Sequence, residues 1–353
     1  MGYCTRAAAE NAVHCKTGRD IHLHHGTSPL LVHGSVRRSR HRSMNDGPRL
    51  PTFLVIGAAR SGSSSLHDSL RQHPQVFVSP IKEPHFFSNE NKEPPRGVPG
   101  APRSTRVTDI NRYMELFDGA KPGMAVGEAS VSYLYSEDAP DRIRHYVPDV
   151  RLIAILRNPV ERAYSAFQYL RERGTEPYAD FSEALEAEDE RVQQNWSHMW
   201  HYRRMGFYGE QLARYYERFE PEQIHVLTLD DFVVDPKRAT AAVYAHVGVD
   251  AAFAPNTAVQ HNVTGAPRWR VLNPLLTPNR VTRRLRPLVI TTLNPVVRRV
   301  KQRVLVKSQV PAEAASMLAQ LYRKDIELLG GLLDRDLSSW LAAYDSPPAA
   351  DRR

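Results

Sequence analysis

The chain has 353 residues, 41% hydrophobic and 24% charged, with 26 Pro and 19 Gly; this composition excludes collagen-like, coiled-coil and wholly disordered chains and suits one large domain or two modest ones. No stretch approaches the roughly 18 consecutive apolar residues of a membrane span, and two cysteines, Cys4 and Cys15, exclude a disulfide scaffold or a Cys-rich zinc module. The formal charge of +8 is uneven, since residues 1–43 carry seven Lys/Arg against Glu10 and Asp20, a net of +5. The remaining 310 residues share only +3, so the body of the chain is nearly balanced.

Residues 1–43 lack a sustained apolar period and hold six of the fifteen histidines, and they read as a disordered basic leader. A secretory h-region is missing from them, and Met44, just ahead of the first strong strand, would also serve as an initiator. The body, 44–353, is then a single domain. Pro51–Gly57 (PTFLVIG) predicts a buried strand, and Ser63–His73 a helix with Leu66 and Leu70 on one face. Gln75–Ser79 is a short second strand. A Pro/Gly/charge-rich loop follows at 89–106. Val150–Leu156 is another buried strand, and Pro159–Arg173 a helix with Val160, Ala163, Tyr164, Phe167 and Leu170 in its apolar stripe. Helix Gly209–Phe219, strand Ile224–Leu229 and a helix from Pro236 come next. A final helix from Ala312 to Leu329 is expected to break at Gly330-Gly331. This alternation predicts an α/β fold, a parallel sheet with helices on both faces.

Three segments carry chemistry. The first, Gly57-Ala-Ala-Arg60-Ser61-Gly62-Ser63-Ser64-Ser65, lies between a buried strand and a helix. Glycines let a backbone turn tightly around an anion, and the N–H groups and dipole of a first helical turn favour negative charge. The Gly57-x4-Gly62 spacing fits a Walker A frame, but Ser63 stands where that frame needs lysine, and the cation is Arg60 within the loop. That departure points to an anionic nucleotide bound without the usual metal arrangement.

The second segment is Ser79-Pro-Ile-Lys82-Glu83-Pro84-His85-Phe-Phe87. Pro84 disfavours helix at Glu83 and favours extended geometry, which would place Glu83 and His85 on one side. Such a pair can take a proton from a hydroxyl, with Lys82 adding positive charge nearby. The third is Arg157-Asn158-Pro159-Val-Glu-Arg-Ala-Tyr-Ser165, at the carboxyl end of a strand. Asn158 can cap the following helix and Pro159 suits its first turn, so Arg157 stands where α/β sheets bind ligands, with Ser165 close behind.

In this order and spacing the three segments resemble the nucleotide-dependent sulfotransferase family, closest to its glycan O-sulfotransferase branch, over Pro51 to Trp340. The resemblance implies a P-loop-like fold, 3′-phosphoadenosine 5′-phosphosulfate (PAPS) as co-substrate, no metal, and a hydroxyl-bearing acceptor (carbohydrate, glycolipid or small alcohol). It implies that Arg60 and Ser61 to Ser65 (Ser61, Gly62, Ser63, Ser64, Ser65) hold the 5′-phosphosulfate, that Glu83, assisted by His85, is the general base, and that Arg157 and Ser165 hold the 3′-phosphate. His261-Asn-Val-Thr-Gly265-Ala-Pro-Arg268 is a loose counterpart of the family's nucleotide-covering loop, which adds Gly265 and Arg268 to the cofactor site. Where the family has a loop lysine this chain has Arg60, which can neutralise a leaving phosphate but cannot give up a proton. The third strand reads Gly127-Glu128-Ala129 in place of an acceptor-facing Glu-Lys, which argues against a glycosaminoglycan acceptor.

Two other readings compete: a P-loop kinase, weakened by the missing lysine, and a basic binder of nucleic acid or membrane, weakened by the position of the charge. The segment from Arg268 to Pro311 holds eleven Lys/Arg and no acidic residue, so 268–307 is a candidate for peripheral contact with anionic membrane, while no nucleic-acid partner is expected. A cytoplasmic location, peripheral to the membrane at most, fits these features. If residues 1–43 are a leader, a chain beginning at Met44 binds 3′,5′-ADP as the full chain does and melts within a few degrees of it; a larger drop in Tm would show that the leader packs on the body.

Overall fold

A computed structural model describes residues 50–90, 106–256, 266–267, 305–306 and 309–344. The leader, most of the 89–106 loop, Gly265, Arg268 and the basic stretch apart from 305–306 lie outside the described residues.

Five strands form one sheet: β1 (Phe53–Gly57), β2 (Val76–Val78), β3 (Ala125–Ala129), β4 (Arg151–Leu156) and β5 (Ile224–Thr228). Their order is β2-β3-β1-β4-β5, and every neighbouring pair is parallel. Leu54 stands opposite Glu128 on one side and Leu152 on the other, so β1 is central. Its five residues are all buried, as are those of β3. Strands covered on both faces favour continuous apolar runs, and FLVIG and LIAIL supply them, while β3 (AVGEA), equally covered, buries Glu128.

Alternate residues of β1 and β4 point to opposite faces and define two cores. Phe53, Val55, Ile153 and Ile155 pack under α1 (Ser63–Gln72) and α10 (Pro236–Val247), with Leu66, Leu70, Val243 and Tyr244 contributed by those helices. On the other face lie Leu54, Ile56, Leu152 and Leu156. They are covered by α4 (Ala139–Tyr146), α5 (Pro159–Glu172), α8 (Tyr208–Tyr216) and α11 (Ala312–Leu333), through Ile143, Phe167, Leu212, Leu318 and others. The short helices are α2 (Phe86–Asn89), α3 (Ile110–Glu115), α6 (Phe181–Glu186), α7 (Glu188–Gln193), α9 (Leu229–Val234) and α12 (Ser339–Ala342). A two-residue antiparallel pair joins β6 (Ala266–Pro267) to β7 (Leu305–Val306). Among the described residues no helix is long and apolar enough to cross a membrane.

The parallel sheet covered on both faces agrees with the sequence pattern, and predicted ends shift by one to three residues. One boundary is a correction. The last helix does not break at Gly330-Gly331 but continues to Leu333, because Leu329 is fully buried and Leu332 and Leu333 pack against the core. The stop is Asp334, at φ 47 and ψ 49, where the Arg335 N–H donates back to the Gly330 carbonyl at 3.0 Å. A Cβ on Gly330 would lie 2.9 Å from the Arg335 oxygen, so this glycine makes room for the returning chain.

Candidate active site

The crevice beyond the carboxyl ends of β1 and β4 opens into a cavity of about 950 Å³. Its floor is the β1–α1 loop. Gly62 caps α1 in the left-handed conformation at φ 98, and a Cβ there would strike the Leu229 Cδ1 at 2.9 Å as well as strain the backbone. No side chain caps α1, so its opening turn faces the cavity with Ser63, Ser64 and Ser65 along the lining. Ser61 differs from its neighbours: it is fully buried and absent from that lining, so it supports the loop from beneath and does not face the cavity as the resemblance implied.

Lys82 reaches across to this turn, and its Nζ donates to Ser64 Oγ at 2.6 Å. Arg60, at φ 66, turns the other way. Its Nε donates to Ser165 Oγ at 3.3 Å, and its guanidinium lies 4.5 Å over the Tyr169 ring. Arg173 stacks on the same ring at 4.3 Å. Arg157 joins the group by donating to the Arg60 carbonyl at 3.5 Å, while Glu161 aims it through contacts of 3.2 and 2.6 Å. Asn158 caps α5 as the sequence predicts, accepting from the Val160 and Glu161 N–H groups at 3.0 and 3.3 Å. Arg60, Arg157 and Ser165 therefore form one basic end of the cavity, with Lys82 beside the loop.

Glu83 and His85 converge, but not through extended backbone. Glu83 has φ 59 and His85 φ 57, so both are left-handed; Pro84 excludes right-handed helix at Glu83 and leaves this alternative open. The turn is fixed where the Glu83 N–H donates to the Ala129 carbonyl at 3.0 Å and the Val107 N–H to the Pro84 carbonyl at 2.9 Å. Glu83 Oε2 then lies 3.5 Å from His85 Nε2, and Oε1 3.5 Å from Lys82 Nζ. Burial alone would raise the Glu83 carboxyl, but the hydrogen bond and charge of His85, with Lys82 and His198 adding to them, bring it down to about 2. His85 Nδ1 pairs with Ser132 Oγ at 2.6 Å, which fixes the ring with its Nε2 toward Glu83.

Several lining residues were not singled out by sequence. Tyr169 and Arg173 follow Ser165 at i+4 and i+8 on one helix stripe, a spacing that could have exposed the first of them. His198, on a short 3₁₀ turn, lies beside His85 with ring centroids 5.7 Å apart, and it carries no local motif. Glu128 does not face the cavity: it is 1% exposed and accepts from Tyr113, Tyr133 and Ser130. Among the described residues no group of His, Cys, Asp and Glu could hold a metal ion.

Comparison with known proteins identifies the family of the chain. Residues 51–253 match the pattern of the sulfotransferase family. The chain belongs to that family. The crystal structure of a sulfotransferase from Alicyclobacillus acidocaldarius is similar with a TM-score of 0.64 and 30% identity, over 82% of this chain and 98% of that one. Human carbohydrate sulfotransferase 15 is 32% identical over 155 residues, 34% of this chain and 27% of its own length. Human bifunctional heparan sulfate N-deacetylase/N-sulfotransferase 3 is 29% identical over 57% of this chain and 22% of its own length. This chain thus spans about a quarter of the length of these curated relatives.

The histidines of the fold have a common consequence. Burial pushes His67, His201 and His246 down to about 4 and His198 to about 3. A depressed imidazole binds its proton less readily folded than unfolded, so its stabilising effect is full above the ordinary value near 6.5 and is lost as pH falls toward the folded value. Each contributes on the order of 1–3 kcal/mol. Glu128, raised to about 7 by burial, acts in the opposite sense, as do Glu188 and Asp325, which burial also raises, but the lowered histidines, with His225 among them, are more numerous. The Tm is therefore expected to fall by roughly 5–15 °C between pH 7 and pH 4; a flat thermal-melt profile over that range would contradict the burial of these rings.

Proposed function

We propose that the cavity transfers a sulfuryl group from PAPS to a hydroxyl of a carbohydrate acceptor. The observation that carries this reading is the convergence, in one cavity, of an uncapped helix start, a lysine bridging that start to a carboxylate, and a separate cluster of arginines around Ser165. A nucleotide with anionic groups at both ends of a ribose suits two cationic centres, and the volume is in the range of small-ligand sites. The backbone of 62–65, Ser64 and Lys82 would hold the phosphosulfate; Arg157 and Ser165, with Arg60, would hold the 3′-phosphate.

In the transfer step, Glu83 accepts the acceptor's hydroxyl proton, the acceptor oxygen bonds to sulfur, and the bond from sulfur to the phosphate oxygen breaks to leave 3′,5′-ADP. Lys82 and the loop N–H groups meet the charge that develops on the departing oxygen. A carboxyl near 2 is a weak base at neutral pH. Lys82 offers the remedy: an anion that draws its Nζ from Glu83 removes one of the charges that depress the carboxyl, and its basicity rises where it is needed. The carbohydrate acceptor rests on the names of the relatives, and membership of the sulfotransferase family favours this reading over a kinase.

Two variants test the assignment. Arg157→Ala should weaken 3′,5′-ADP binding by about 2–4 kcal/mol while 5′-AMP binding barely changes; equal losses in calorimetry would place Arg157 away from the 3′-phosphate. Glu83→Gln keeps shape and removes basicity, so labelled-PAPS turnover with a panel of oligosaccharide acceptors should drop about 10²- to 10⁴-fold at unchanged Tm and 3′,5′-ADP affinity. Retention of more than about a tenth of the activity would assign proton removal to another group.

A further inference from the structure

Left-handed backbone at two non-glycine residues around one proline is unfavourable, and it persists only where the surroundings impose it. Around Glu83-Pro84-His85 the surroundings are the end of β3 and the turn after it. The His85 N–H donates to Ser130 Oγ at 2.9 Å, and Ser130 Oγ in turn donates to Glu128 Oε2 at 2.8 Å. The other oxygen of Glu128 accepts from Tyr133 OH at 2.6 Å and Tyr113 OH at 3.1 Å. The same turn holds the ring, since Ser132 Oγ meets His85 Nδ1 at 2.6 Å and Ser88 Oγ at 2.8 Å, while Ser88 donates to the His85 carbonyl at 3.1 Å.

The chemistry of the members gives this chain of bonds a direction. A hydroxyl can donate or accept, so a cluster of hydroxyls alone has no unique arrangement of protons. An ionised carboxylate, the form of Glu128 above about pH 7, only accepts. Placed among three hydroxyls, with 1% exposure, Glu128 draws all three protons inward, and Ser130 is left with its lone pairs toward the His85 N–H. A glutamine there would bring two donors of its own and reverse part of that order.

We infer that Glu128 is a positioning residue of the transfer site: through Ser130 it fixes the backbone of His85 and so keeps the His85 imidazole against the Glu83 carboxylate. This rests on the reading of Glu83 as the base. Glu128 is absent from the cavity lining, and it acts through Ser130 and the strained turn, beside the direct repulsion between its charge and that of Glu83. Burial of a carboxylate without a cation beside it is costly, and a core needing only volume at this point of β3 would be served by an apolar residue.

The test is a double-mutant cycle in the full chain with Glu128→Gln, Ser130→Ala and the pair together, and Glu83→Gln as control. Slow release of labelled sulfate from PAPS, with water in place of the acceptor, reports on the base. Exchange protection of the His85 backbone amide, read by NMR, reports on the turn. Each single variant is expected to reduce sulfate release at least about tenfold and to lose the amide protection, with 3′,5′-ADP affinity within about twofold of the parent. The pair should be no worse than the weaker single, because both act through one bond. Unchanged His85 protection in Glu128→Gln, losses that multiply in the pair, or activity that merely follows Tm would overturn the inference. Should Glu128→Gln fail to fold, Tyr133→Phe, which removes one hydrogen bond from the carboxylate, takes its place in the cycle. If Glu83→Gln releases sulfate at the parent rate, the reading of Glu83 fails, and the amide measurement still decides the role of Glu128.

Discussion

The site depends on the position of β1. With β3 hydrogen-bonded on one side and β4 on the other, and with both faces covered, this strand cannot shift without disturbing two cores at once. Its register against β3 and β4 sets the height at which the loop after Gly57 leaves the sheet. The turn after β3 and the start of α5 after β4 leave the sheet beside it. Three segments far apart in sequence thus meet beyond one edge, and the catalytic geometry becomes a property of strand order.

That constraint explains why so much was legible. FLVIG and LIAIL are unbroken apolar runs and so visible as buried parallel strands, whereas β3, equally buried, holds Glu128 and carries no such run; the loops after β1 and β4 stand out by their glycine, proline and charge. Asn158-Pro159 carries its own capping chemistry, and the Arg157-to-Ser165 spacing follows from helix periodicity, so both landed where the pattern put them. The local conformation of Glu83 and His85 was not legible. Pro84 restricts its predecessor to a choice of regions, and the choice was made by acceptors on β3 and the following turn, more than forty residues away. The reach of Lys82 to Ser64 and the stacking of Arg60 on Tyr169 belong to the same class: long, flexible side chains whose partners only the fold supplies. Gly330-Gly331 shows the converse, a strong local stop signal overridden by the leucines that flank it.

The two carboxylates behind and within the site illustrate how environment divides roles. Glu83 is about a third exposed and surrounded by donors and cations, which favour its charged form. Glu128 is buried among hydroxyls, which support the charge only in part, so its carboxyl rises to about 7. The pair differ more by neighbours than by distance from the chemistry. A reactive carboxylate wants contact with substrate and adjustable basicity, whereas a positioning carboxylate wants rigid partners and exclusion of water.

Electrostatic self-sufficiency of the cavity bears on how it would select a ligand. Arg157 is held by Glu161, Lys82 by Ser64 and Glu83, and Arg60 by Ser165 and the face of Tyr169. An arriving anion therefore exchanges one set of partners for another, and only the difference between the two sets appears as affinity. A single phosphate gains little from such an exchange, since it must compete at one cluster with contacts already made. A ligand that places anions at both clusters releases several internal contacts in one event and keeps the cations paired throughout. On the proposed reading, selection for a doubly anionic nucleotide would follow from that arithmetic more than from the count of basic residues, and occupancy of the phosphosulfate end would be coupled to the basicity of Glu83 through the lysine the two share.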